Sequence, residues 1–209
     1  MQLILIRHGE STWNHAGRIQ GWVDSPLSEW GQRQAEKLAE RLAALPITAV
    51  YTSHLKRALE TAQAIARTLD LSLTVDERLQ EYGIGDLEGL TIEEVKERYP
   101  AIYLGWRETS LWIPLPGEEG REVFAQRVRE AMADIVANYP EEAVAVVTHG
   151  GVIGIFLAGL LGLGAGKRLP FVFDNASLSV IEWDGRRTRI SSLNDTCHLG
   201  DSRRGPKGF

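Results

Sequence analysis

The sequence predicts an α/β protein, a three-layer α/β/α sandwich with a mostly parallel central sheet and an antiparallel hairpin at one edge. Three observations predict it. The continuous apolar run "LILI" at 3–6 has the pattern of a strand buried on both faces, and "ITAVYTS" at 47–53 and "AVAVV" at 143–147 read as further strands. Helix-period stripes follow the runs, the alternation that builds a parallel sheet. The segment "SLSVIEWDGRRTRISSL" at 177–193 reads as a hairpin turning at Asp184-Gly185.

Each element has a local reason. The strand at Leu3 to Ile6 leads into a loop containing Gly, Trp and Asn that runs to Pro26. Ser28 stands at an N-cap position, and Ala35, Leu38, Ala39 and Leu42 follow on one helical face that should end near Pro46. After the second strand, Ala58, Ala62, Ile65, Ala66 and Leu69 mark the buried stripe of a second helix. A third runs from about Glu122 to Tyr139 on Phe124, Val128, Ala131, Met132 and Ile135, and Pro140 closes it. It leads into "AVAVVTHGG", the strongest strand, and then the apolar stretch 152–166, too short for the roughly 20 residues of a membrane span and therefore a buried helix. Residues 84–120 are the least regular, with a short helix near Ile92 to Arg98, and form a candidate lid or substrate wall.

At 209 residues the chain predicts one domain, at 1–196, followed by a polar, mobile tail at 197–209. A formal net charge of −5 argues against nucleic acid as a partner, because such binding rests on a basic stripe, so any anion site must be local. The single cysteine, Cys197, allows no internal disulfide, and no apolar run near the start is long enough for a signal peptide. A cytoplasmic protein with no membrane partner is expected; a homodimer is the commonest alternative to a monomer.

Ligands of open α/β sheets bind beyond the carboxyl ends of the strands. One such end carries Arg7 and His8, the next "SHLKRALETA" with Arg57 opening a helix, and the third His149 followed by Gly150 and Gly151. Singly, an arginine there reads as a surface charge and a histidine as a hydrogen-bonded structural residue. Repetition at successive strand ends, with Asn14 nearby, points instead to an anion pocket, since guanidinium forks match phosphate oxygens and helix N-termini add N–H donors. "LQEYGIGDLEG" supplies Glu81, Asp86 and Glu88; Glu81 reads either as a salt-bridge partner or as a general acid that becomes the base activating water.

"RHGESTWN", "LKRALETA", "EYGIGDLEG" and "VVTHGG", in this order and spacing, resemble the histidine phosphatase superfamily, also called phosphoglycerate mutase-like. The resemblance spans residue 2 to about 195. It implies that His8 is the nucleophile and becomes phosphorylated, that Arg7, Arg57 and His149 hold the phosphoryl group, and that Glu81 is the proton donor. It further implies that Asn14, Gln20 and Gly21 line the pocket with Gly150. Two arginines and a second histidine would then neutralise phosphoryl charge without a metal or other cofactor, and their positive field would keep His8 unprotonated and nucleophilic.

"GRIQGWVDSPLSEWGQRQA" and "LNDTCHL" look like the family's small bacterial phosphatases, and the compact segment between Gly89 and Pro116 lacks the basic insertion usual in cofactor-dependent mutases. The expected activity is hydrolysis of small-molecule phosphomonoesters; the alternatives are a phosphoglycerate mutase and a non-catalytic phospholigand-binding protein. Tyr99, Tyr103, Trp106 and Trp112 serve equally as core or as an apolar substrate wall. Other motifs fail: "CHLGDSR" has the spacing of a cysteine-phosphatase loop but no room for the required helix, "HGGVIG" lacks the dinucleotide spacing, and neither H-E-x-x-H nor G-x-S-x-G occurs.

Overall fold

The computed structural model describes residues 1–108, 113–163, 170–184 and 187–202, and over these six strands join into one sheet. In chain order they are β1 (Gln2–Arg7), β2 (Ile47–Thr52), β3 (Leu73–Val75), β4 (Ala143–Thr148), β5 (Leu178–Trp183) and β6 (Thr188–Asp195). In space they run β3-β2-β4-β1-β5-β6, parallel from β3 to β1 and antiparallel through β5 and β6. The helices are α1 (Thr12–His15), α2 (Glu29–Leu42), α3 (Lys56–Leu69), α4 (Ile92–Arg98), α5 (Pro100–Glu108), α6 (Arg121–Asn138) and α7 (Gly150–Leu160).

The three layers follow from period-two alternation in strands buried on both sides. Leu3 and Leu5 of β1 and Val144 and Val146 of β4 face Phe124, Val128, Met132 and Ile135 of α6 and Val152 and Ile155 of α7. Ile4, Ile6, Ala145 and Val147 point the other way, onto Leu38 and Leu42 of α2 and Ala58, Ala62 and Ile65 of α3. Ser28 caps α2 by accepting the Gly31 N–H at 3.0 Å.

Three elements lie where no regular structure is expected from the sequence. The loop after β1 contains α1, closed by a capping box in which Ser11 Oγ accepts the Asn14 N–H and Asn14 Oδ1 accepts the Ser11 N–H; Asn14 fills the place that Glu or Gln takes in the usual signature. The irregular segment holds α5, which Pro100 starts at a position where its fixed φ suits a helix. With α4 it closes a satellite cluster of Leu87, Leu90, Val95 and Leu115, against which Tyr99, Tyr103 and Trp106 pack half-buried. The edge strand β3 is only three residues long.

Past β6, Cys197–Ser202 hold 3-10 turns broken by a kink at Gly200, and Leu199 is buried in the α2–α3 core with Leu178. Trp112, the 164–166 end of the apolar stretch, Gly185 of the hairpin turn and residues 203–209 lie outside the described residues.

Candidate active site

The pairing of β1 with β4 dictates the centre of the site. The two strands are parallel neighbours in which Arg7 lies opposite Thr148, so the next residues, His8 and His149, emerge side by side. The His8 N–H donates to the Thr148 carbonyl at 2.9 Å, and the two imidazole centroids stand 5.2 Å apart. On the other flank of β4, Thr52 of β2 pairs with Val147, which brings Ser53 to His149: Ser53 Oγ is 2.7 Å from Nε2.

Both rings are buried and both have pKa values well below 6.5. Burial is the largest cause, followed by the positive charge of Arg57. Neutral imidazoles result. The Nδ1 of His8 lies 2.6 Å from the Gly9 carbonyl, which can only accept; the proton therefore sits on Nδ1 and the lone pair on Nε2.

Arg57 enters from the first turn of α3 and is 1% exposed. Its two terminal nitrogens donate to the carbonyls of Gly21 and Val23, each at 2.8 Å, and burial lowers its pKa to about 10. The loop carrying Gly21 is pinned twice more to α3, since Asp24 Oδ1 accepts the Lys56 N–H and Glu60 Oε2 accepts the Leu27 N–H. Arg7 donates from one terminal nitrogen to the Phe173 carbonyl. Among the described residues Arg7 Nε, Arg57 Nε and His149 Nδ1 are buried with no hydrogen-bond partner. Each such group costs about 1–3 kcal/mol, so three around one imidazole form a site built for an anion.

Glu81 reaches the same place from the other side of β4. Its Oε2 accepts the Gly151 N–H of α7 at 3.1 Å and its Oε1 the Tyr82 N–H at 2.8 Å. It makes no ion pair with Arg7 or Arg57 within 4.0 Å among the described residues, so it is not the simple salt-bridge partner that the sequence also allows. Its charge nonetheless acts on both arginines. Gly150, the first residue of α7, lies against Arg7, with 3.7 Å between Arg7 Nε and the place a Cβ would occupy.

Asn14 and Gln20 stand one step back. Asn14 Oδ1 accepts from Ser11 and from Asn175 Nδ2, and Gln20 Oε1 lies 2.7 Å from the hydroxyls of Ser11 and Ser25, so both brace the loop after His8. Gly21 has φ +53 and contributes its carbonyl to Arg57. Sequence reasoning misses Asn175, whose Nδ2 reaches the carbonyls of His8 and Gly9, as well as Ser53, Trp22 and Arg127. Only Ser53, at a strand's carboxyl end, carried a positional signal.

Known proteins show the same arrangement of sequence. The model of the histidine phosphatase superfamily (branch 1) matches residues 3–196. Phosphoserine phosphatase 1 of Hydrogenobacter thermophilus is 37% identical over 201 residues, 96% of this chain and 95% of that protein. The metal-independent phosphoserine phosphatase of Arabidopsis thaliana is 38% identical across 100% of this chain and 87% of its own length. The solved structure of Bacillus stearothermophilus YhfR is similar with a TM-score of 0.85 at 34% identity, over 95% of this chain and 98% of that one. With the family model matching residues 3–196 and the same fold in a solved structure at 34% identity, the chain belongs to the histidine phosphatase superfamily, branch 1.

Proposed function

We propose that the protein is a metal-independent phosphatase that hydrolyses small-molecule phosphomonoesters through a phosphohistidine on His8. The observation that carries this reading is the set of unpartnered buried nitrogens, the donors Arg7 Nε and Arg57 Nε with His149 Nδ1, gathered around a histidine whose free lone pair is on Nε2. The donors balance the charge on the phosphoryl oxygens, the task that most phosphoryl transfer requires. His8 Nε2 forms a bond to phosphorus as the P–O ester bond breaks, and the leaving alkoxide takes a proton from Glu81. The Glu81 carboxylate then removes a proton from water, whose oxygen attacks phosphorus; the N–P bond breaks and inorganic phosphate departs. Gly150 supplies a backbone donor, and Asn14, Gln20 and Gly21 shape the pocket wall.

Hydrolysis rather than mutase chemistry is favoured by the compact segment between Gly89 and Pro116, which lacks the basic insertion usual in cofactor-dependent mutases. The names of the two relatives make phosphoserine the first substrate to assay. No helix among the described residues is long and apolar enough to cross a membrane, and a lone cysteine suits the cytoplasm as the place of action. The test is a rapid quench with ³²P-labelled phosphoserine, 3-phosphoglycerate and 4-nitrophenyl phosphate. An acid-labile adduct on His8, absent in His8→Ala, together with phosphate release, is expected. Absence of both adduct and turnover across the panel overturns the enzyme reading, and fast isomerisation of 3-phosphoglycerate with little release overturns hydrolysis.

A further inference from the structure

Arg127 lies on α6 between two buried residues, Phe124 and Val128, and its side chain is 14% exposed. Its guanidinium has five N–H groups, and all five are engaged by protein. One terminal nitrogen donates to the carbonyls of Arg78 and Gln80, each at 2.7 Å. The other donates to the Glu81 carbonyl at 2.8 Å and to Glu119 Oε1 at 2.7 Å, and Nε donates to Glu119 Oε2 at 3.0 Å. Nothing remains for a substrate phosphate. A planar fork suits this arrangement and a lysine ammonium, with three donors, does not.

Glu119 extends the grip. Its Oε1 accepts the Gly83 N–H at 3.1 Å, and its own N–H donates to the Gly83 carbonyl at 3.0 Å. The Phe124 ring supports the guanidinium from beneath at 4.8 Å and also packs against Tyr82, with centroids 5.0 Å apart. The segment held in this way has little regular backbone beyond one 3-10 turn at Glu77–Leu79. Its carbonyls therefore depend on an outside donor. The Glu81 carbonyl takes a second donor, Trp22 Nε1 at 2.7 Å, from the loop that also binds Arg57. The backbone of Glu81 is thus fixed by Arg127 and Trp22 and its carboxylate by α7.

From this geometry we infer that Arg127, together with Glu119, is a positioning residue for Glu81, holding its carboxyl where it delivers a proton to the leaving oxygen. The inference rests on the reading of Glu81 as proton donor in the proposed reaction. It predicts a selective loss. A proton donor matters for an alkyl ester, whose alkoxide is a poor leaving group, and little for 4-nitrophenyl phosphate, whose phenolate leaves unassisted.

The test compares kcat/KM for phosphoserine and 4-nitrophenyl phosphate, a ratio that covers steps only through phosphorylation of His8, in wild type, Arg127→Lys, Glu119→Gln, Glu81→Gln and the Arg127→Lys/Glu81→Gln pair. Arg127→Lys is expected to lose roughly 100-fold on phosphoserine and less than about threefold on 4-nitrophenyl phosphate, within the range typical of general acid catalysis. The double variant should lose no more on phosphoserine than Glu81→Gln alone, because Arg127 acts through Glu81. Equal losses on both esters, no loss, or additive losses in the double variant overturn the positioning role while Glu81→Gln keeps its split. A Glu81→Gln variant without the split overturns the proton-donor reading itself, and the inference with it. Where Arg127→Lys gives no cooperative melt, Glu119→Gln decides by the same comparison: a split supports the role and a uniform loss overturns it.

Discussion

Glu81 and Gly151 meet at the first turn of α7 so closely that a Cβ on residue 151 would stand 2.2 Å from Glu81 Oε1. Glycine at 151 is therefore a condition for the carboxylate to reach the helix N-terminus, where its Oε2 takes the backbone N–H at 3.1 Å. Gly151→Ala should expel the carboxylate and lower kcat/KM on alkyl phosphates roughly 100-fold, the scale of a lost general acid, with the fold intact by circular dichroism. Undiminished activity would show that the contact does not matter to the reaction.

Ser53 and His149 give a second prediction. With Ser53 donating its hydroxyl proton to Nε2, His149 keeps its own proton on Nδ1, the buried nitrogen that has no protein partner. Ser53→Ala frees the tautomer. The loss of about 1 kcal/mol expected for one such hydrogen bond corresponds to a five- to tenfold weaker inhibition by inorganic phosphate, measured against phosphoserine hydrolysis.

The two depressed histidine pKa values make stability depend on pH, with a definite sign. Above about 6.5 the rings are neutral in both folded and unfolded chains. As pH falls below that value the unfolded chain binds protons that the buried rings refuse, so unfolding becomes easier. Urea midpoints should fall from pH 7 to pH 5, and His149→Asn should flatten part of that slope. An unchanged slope in the variant would assign the dependence to other groups.

Asn175 offers a prediction about rigidity. Its Nδ2 lies 3.1 Å from the His8 carbonyl, 3.3 Å from that of Gly9 and 3.2 Å from Asn14 Oδ1, and the next residue, Ala176, has φ +57 and donates its N–H to His8. Asn175→Ala removes one donor from each of these acceptors, which keep Ala176 N–H, His8 Nδ1 and Ser11 N–H respectively, and should lower the urea unfolding free energy by about 0.5–1.5 kcal/mol. Activity should fall on all esters alike, because the change moves the proposed nucleophile, His8, and not the proposed proton donor, Glu81.

Much of this was legible beforehand because it depends on patterns that repeat. The apolar runs of β1 and β4 announce buried strands, and the residues immediately after them, His8 and His149, occupy the positions where a parallel sheet presents ligands. The hydrogen-bond partners were not legible. Asn175 sits in a turn before β5 with no periodicity, and Arg127 lies on a helix face where a charge reads as solvent-exposed. Its burial is decided by five acceptors scattered from 78 to 119, a tertiary arrangement that no local pattern reports. The short helices were missed for smaller reasons: α1 uses Asn at the third position of its capping box, and α5 begins with proline, which ends helices more often than it starts them when read alone.

The contact between His8 Nδ1 and the Gly9 carbonyl, 2.6 Å long, also decides regiochemistry. A ring nitrogen that holds its proton against a neighbouring carbonyl is closed to electrophiles, so in the proposed reaction phosphorus attaches only to the far nitrogen. The adduct is then the tele isomer, 3-phosphohistidine. Isomer-selective antibodies or phosphorus NMR on the trapped protein should detect that species and no pros counterpart.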